Sequence, residues 1–156
     1  MTGDPKVIKA LNELVALEIT VHEVGHGWEK VWECAGYKGL RKFWDDKVVG
    51  KSRIRRRYLE KRIVRFEGQI TVTLQTATID PATKAEAALA GAMKAVMNLL
   101  NAYRSAWKAV SDAGDNTTAD DLCDLQKSVE ATIFKLESWA RQISDIDIKL
   151  WLAQQV

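Results

Sequence analysis

The sequence predicts an all-α domain, an up-down-down-up four-helix bundle with a long crossover and a short fifth C-terminal helix. Three observations predict it. Four long stretches carry apolar residues at steps of three and four, the spacing that builds one helical face. Between the second and third the period changes to two, with Ile70, Val72, Leu74 and Ala77 alternating with polar residues. That threonine-rich segment, residues 69–80, suits an extended crossover. A long crossover lets the third helix start at the same end as the second.

Helix one is expected over residues 5–35. Asp4 is a good cap and Pro5 sits where a missing N–H costs nothing. Val7, Leu11, Leu14, Val15, Glu18, His22 and Gly25 form its stripe, and about 30 residues make roughly 45 Å of helix. Gly36 stops it. Helix two is expected over 40–66, with an inward stripe of Leu40, Phe43/Trp44, Val48, Lys51, Ile54/Arg55, Tyr58 and Arg62, and with Leu59, Ile63 and Phe66 beside it. Gly50 weakens it locally by about 1 kcal/mol, and Gly68 ends it.

Asp80-Pro81 opens helix three, over 81–112, whose inner face runs through Leu89, Met93, Val96, Leu99, Tyr103, Trp107 and Val110. Ten alanines support its length. After a turn at 113–116, Thr118 and Asp121 give a box-like start to helix four, over 118–143. Its face is Leu122, Leu125, Val129, Thr132, Ile133, Leu136, Trp139 and Ile143. Ser144-Asp145 breaks it. A fifth helix over 146–155 carries Ile148, Leu150, Trp151 and Leu152, with Val156 beyond. A four-helix bundle does not need this tail, and so much apolar surface on it predicts assembly.

At 156 residues the chain fits a single domain, 1–156, with a sizeable core. Apolar residues at 47% and charged residues at 28% exclude the composition of a disordered chain. A net charge of +2 gives the molecule as a whole no case for nucleic acid. The apolar runs are too short to cross a bilayer, so no membrane partner is expected. Lys6 and Lys9 punctuate an amphipathic pattern unlike a signal peptide. Cys34 and Cys123 are isolated, which points to a reducing, cytoplasmic setting and to roles as small core or interface hydrophobes.

Gly3-Asp4-Pro5-Lys6-Val7-Ile8, Leu11-Asn12-Glu13 and Leu17-Glu18 resemble the start of bacterioferritins. Arg57-Tyr58-Leu59-Glu60 with Phe66-Glu67-Gly68 resembles the end of their second helix, and Ile133-Phe134-Lys135-Leu136-Glu137 the middle of their fourth. Ile148 to Gln155 is similar to their short fifth helix. The resemblance implies the ferritin-like bundle, a 24-subunit cage built from two-fold dimers, haem at the dimer axis and a di-iron ferroxidase centre in each subunit.

The sites depart from the resemblance. A di-iron centre needs carboxylates from four helices and a Glu-x-x-His pair on each of two. Glu18 matches the first-helix ligand. The second-helix pair falls on Lys51 and Ile54, the third-helix glutamate near Val96, and the fourth-helix pair on Val129 and Thr132, with Glu130 one step off the inward face. Both histidines lie on helix one. One carboxylate and a lysine cannot hold two irons, so Lys51 is expected to pair with Glu18 and supply the positive charge that metal would.

His22-Glu23-Val24-Gly25-His26 reads as H-E-x-x-H, the zinc-peptidase pattern. No third ligand follows it, and a continuous bundle offers no cleft for a peptide. The resemblance suggests another use. The haem-ligating methionine of the family falls on Ser52, and the helix-one surface lining that pocket corresponds to Ile19, His22, Glu23 and His26. His22 and His26 could replace the thioether pair as axial haem ligands, or gather around a transition metal across the two-fold, with Glu18 one turn away. The alternative is that His22 is a hydrogen-bonded core histidine and His26 an interface one.

The stretch from Lys51 to Arg62, followed by Arg65, is the most charged. On a cage's inner wall it would attract anions such as phosphate rather than iron, and no duplex could reach it there. Interhelix and intersubunit ion pairs are the plainest account. Three readings therefore stand: a homo-oligomeric cage or dimer subunit carrying haem or metal without its own ferroxidase; a partner of a second ferritin-like subunit in a mixed cage; or a repurposed bundle binding protein or nucleic acid.

Overall fold

The computed structural model describes residues 2–156. Their regular structure is helical: α1 (Pro5–Cys34), α2 (Lys38–Phe43), a π-helical segment (Trp44–Val49), α3 (Gly50–Arg65), α4 (Ala85–Asp112), α5 (Asn116–Asp145) and α6 (Ile148–Ala153). α2, the π segment and α3 follow one another without a break and make the second rod. Asp4 caps α1 by accepting from the Lys6 N–H at 2.8 Å, with Pro5 in the first turn.

Contacts along the rods fix their directions. Gly3 N–H donates to Phe66 O at 3.0 Å at one end of α1, and Trp32 meets Trp44 edge-on at the other, so α1 and the second rod are antiparallel. Tyr103 of α4 reaches Glu18, while Ala87 and Ala88 share a groove with Trp28, so α4 also opposes α1. In α5, Asp121 meets Tyr58 and Trp139 meets Phe43, which sets α5 against the second rod. The second rod and α4 therefore run the same way, and residues 67–84 carry the chain back along α1. Asn12 anchors this crossover, donating to Gln69 O at 2.9 Å and accepting from Thr71 N–H at 2.8 Å. Farther along, Ile79 packs so closely on Gly27 that a Cβ there would lie 2.1 Å from its Cδ1.

Boundaries differ from the sequence expectation where side chains compete for the backbone. Helix three starts at Ala85 rather than at residue 81, because Asp80 closes a turn instead: its carboxylate accepts from Ala82 N–H and its carbonyl from Thr83 N–H. α5 starts two residues early, at Asn116, because Asp115 rather than Thr118 is the cap, accepting from Thr118 N–H at 3.0 Å. At the end of the second rod the left-handed residue is Glu67 (φ 59°), not Gly68. Gly68 N–H closes that end on Ile63 O, and a Cβ there would meet Ile8 at 2.9 Å.

The π segment has the largest consequence. Gly50 N–H donates to Asp45 O, five residues back, and a Cβ on Gly50 would lie 2.9 Å from that same oxygen. The wider turn holds one extra residue and advances the inward face by one position. Downstream of it the buried residues are Ser52, Arg55, Leu59 and Ile63, where a plain α-helix would have placed Lys51, Tyr58 and Arg62.

The core is continuous through the four rods and ends in an aromatic cluster of Trp32, Phe43, Trp44, Trp139 and Trp151. The tail belongs to this cluster, so the fold itself covers Trp151 and packs Ile148 and Leu152 against the core. Trp151 is fully buried against Trp139 and donates from Nε1 to Gln142 Oε1 at 3.0 Å. Gly39 N–H donates to Gln155 O at 2.7 Å, locking the tail to the start of α2. Ile146, Leu150 and Val156 keep exposed apolar faces there. Cys34 is exposed and Cys123 half-buried, both as free thiols, so neither is a core residue. Among the described residues no helix is long and apolar enough to cross a membrane.

Candidate functional site

Midway along the bundle, Glu18 is completely buried. Three rods converge on its carboxylate. Arg55 donates from Nε to Oε1 at 2.6 Å and from Nη2 to Oε2 at 3.2 Å. Ser52 Oγ lies 2.6 Å from Oε2 and 2.8 Å from the Glu18 carbonyl oxygen. Tyr103 on α4 donates to Oε1 at 2.8 Å. A fourth rod joins through Arg55 Nη1, which donates to Ser128 Oγ on α5 at 3.1 Å. The two-pronged guanidinium–carboxylate geometry is the strongest charge-assisted pairing open to these side chains.

Lys51 was expected here, and Arg55 takes its place. The π segment turns Lys51 outward to an exposed position and brings Ser52 inward, while Arg55 keeps its inward place. Ser52 is correspondingly a core residue, hydrogen-bonded to Glu18, rather than a lining residue of a surface pocket. Ile19 is also buried. Burial and then the Glu18 charge push the Tyr103 phenol well above its usual range, so it serves Glu18 as a neutral donor.

Beside this quartet Tyr58 donates to Asp121, and burial first, then that carboxylate, push its phenol up as well. Arg62 donates to Thr118 Oγ1 at 2.8 Å and lies over the Phe66 ring. Arg56 pairs with Glu60 at 2.6 Å, one turn along the same helix. The basic stretch thus resolves into one arginine in the core, two tied to neighbouring side chains, and Arg53, Arg57, Lys61 and Arg65 exposed.

The residues around Glu18 do not fit a di-iron centre. Both its oxygens are taken by cationic or hydroxyl donors, and Val96, Val129 and Thr132 contribute no carboxylate or imidazole. A guanidinium already fixed on the carboxylate would repel the cations that such a centre must bind.

The two histidines share one face of α1, with rings nearly parallel (4°) and centroids 6.3 Å apart. His22 Nδ1 meets Glu23 Oε1 at 3.1 Å, and His26 Nδ1 lies 3.5 Å from Glu29 Oε2. His22 is half-buried, while Glu23 and His26 are exposed. Among the described residues no cluster of three or more His, Cys, Asp or Glu side chains could hold a metal ion.

Glu29 was overlooked in the sequence. It continues the Glu18, His22, Gly25 stripe by one more turn and is almost fully buried beside His26, Arg41 and Lys30. Its i+11 spacing from Glu18 was the available signal. Arg55 and Tyr103 lay on the expected inward faces, but that they meet Glu18 depends on register between rods. No protein-family model matches the chain, and no curated protein matches it either.

Proposed function

We propose that the chain is a divergent bacterioferritin-like, ferritin-fold subunit of an iron- or haem-handling homo-oligomer, whose ion pair occupies the place of the ferroxidase centre. The observation that carries this reading is the Glu18–Arg55–Ser52–Tyr103 quartet. A carboxylate at the position resembling the family's first-helix ligand is kept in the bundle, and an arginine balances it. The antiparallel and parallel pairing of the rods, the long crossover and the short terminal helix support the same ancestry.

In this reading the subunit builds a dimer or cage of its own kind; the alternative is a non-catalytic partner in a mixed cage, where a second ferritin-like chain oxidises the iron. The exposed free thiol of Cys34 suits a cytoplasmic setting. Anaerobic titration with ferrous ion, followed by oxygen and metal analysis, tests the core claim. The expected result is no stoichiometric iron in the bundle. Two irons per chain with rapid oxidation would overturn it. Solution mass separates dimer from 24-mer, and co-purification with another ferritin-like chain identifies a mixed cage.

A second reading, haem or a transition metal between two copies, is favoured by the parallel imidazoles of His22 and His26. Each has Nδ1 facing a carboxylate, the arrangement that orients Nε2 for a ligand. It draws on Glu23 and His26, the exposed members of the expected surface. A Soret band that is lost in the His22→Ala/His26→Ala double variant supports it. Colourless protein that refuses added haemin removes it.

A further inference from the structure

Lys51, turned out of the bundle by the π segment, enters a groove between the second rod and α5. The groove has a volume of about 470 Å³ and is lined by Lys47, Lys51, Lys135, Ser128, Thr132, Phe43 and Ala131. The three lysines are exposed, and among the described residues none forms an ion pair with a carboxylate. Lys135 rests only against the Trp139 ring, 5.7 Å from its centroid. Three lysine side chains thus line one concavity. The nearest acid lining the adjoining hollow is Asp46, which shares that hollow with Lys42, Lys47 and Lys135.

The wall supplies hydroxyls as well as charge. Ser128 Oγ accepts from the buried Arg55 Nη1, so its own hydrogen is free to be donated into the groove. That bond ties the groove to the Glu18 quartet, and an arginine behind the hydroxyl makes it a stronger donor. Phe43, Ala131 and the lysine stems give an apolar floor. Tetrahedral oxyanions fit such a lining: they accept from ammonium and hydroxyl donors at once and discharge the cluster.

We infer that this groove binds a phosphate-bearing small molecule, its phosphoryl oxygens taken by Lys47, Lys51, Lys135 and Ser128. The inference stands apart from the subunit reading, since it needs neither a cage nor iron. The test is calorimetric titration of the full chain with inorganic pyrophosphate in 150 mM salt, a strength at which diffuse surface attraction is largely screened (about 8 Å Debye length). Saturable binding is expected, weakened at least about tenfold by each of Lys47→Gln, Lys51→Gln and Lys135→Gln. Because all three side chains are exposed, the variants should keep the wild-type melting temperature.

The controls are the single variants Lys9→Gln, Lys94→Gln and Lys108→Gln, each of which removes the same one charge from a place outside the groove. Adenosine diphosphate, titrated in parallel, distinguishes the source of the phosphate. Tighter binding than pyrophosphate assigns a nucleotide with its base on the Phe43–Ala131 floor, and equal binding assigns an inorganic phosphate chain. Absence of saturable binding to both, or an equal loss in the control variants, would overturn the inference.

Discussion

Replacing Arg55 with methionine keeps most of the side chain's length and removes its charge. Glu18 would then be a fully buried carboxylate holding only the Ser52 and Tyr103 hydroxyls. Breaking one side of a buried pair typically costs about 3–5 kcal/mol, because the remaining charge stays desolvated without compensation. With a urea dependence near 2 kcal/mol per molar, the unfolding midpoint of Arg55→Met should fall by about 1.5–2.5 M. Glu18→Gln alone strands the arginine and should lose a similar amount. The double variant Glu18→Gln/Arg55→Met has no buried charge, and the amide oxygen accepts from one of the two hydroxyls while its NH2 donates to the other. It should therefore be more stable than either single variant, recovering at least about 2 kcal/mol in the double-mutant cycle. Urea denaturation followed by tryptophan fluorescence measures all four corners. A loss below about 1 kcal/mol in Arg55→Met, or losses that simply add in the double variant, would refute the account of the quartet as one charge-balanced unit.

The glycines of the second rod and α4 should respond oppositely to alanine. Gly91 has open space around its Cα, so Gly91→Ala should stabilise by about 0.5–1 kcal/mol, whereas Gly50→Ala places a methyl 2.9 Å from Asp45 O and should lower the melting temperature despite the better helix propensity. Trp151→Ala should cost about 3–5 kcal/mol in chemical denaturation, since the indole is completely buried; a loss under about 1 kcal/mol would return the tail to a role in assembly. Tyr58 and Tyr103 are held neutral by burial and by Asp121 and Glu18 respectively, so folding favours their phenol forms. Their contribution is complete below the unfolded tyrosine value of about 10 and is lost as pH rises above it. Absorbance at 295 nm should show these two ionising only with alkaline unfolding, and ionisation of all three tyrosines below pH 11 in folded protein would contradict this.

The helices were legible because each rests on local signals. Asp4-Pro5 starts α1, a three-and-four stripe runs through it, and Gly36 (φ 82°) closes it. The crossover was legible because 69–80 breaks the helical period and is rich in β-branched residues. Boundaries slipped where two acceptors competed for the same N–H groups, as Asp80 and Asp115 did. The packing of the tail on its own bundle was not legible, because its apolar residues say that something covers them, not whether the cover lies in the same chain. Glu18 was legible by its place in an apolar stripe, and the expectation of a cation beside it came from its match to a metal-ligand position that lacks the other ligands.

Which cation answers that need depends on a single hydrogen bond. In an unbroken α-helix residues 44, 48, 51, 55 and 58 share one face, and on that face Lys51 approaches Glu18. The bond from Gly50 N–H to Asp45 O inserts one residue, and 44, 48, 52, 55, 59 and 63 then face inward. The gain is physical: Leu59 and Ile63 become completely buried, while Tyr58 and Arg62 move to the flank where Asp121 and Thr118 await them. Burial of two branched aliphatic side chains, about 1.5–3 kcal/mol each, outweighs the poorer geometry of one wide turn. The same shift that seats Ser52 on Glu18 beside Arg55 sends Lys51 outward to the groove on α5, so the completed quartet and the lysine cluster share one register.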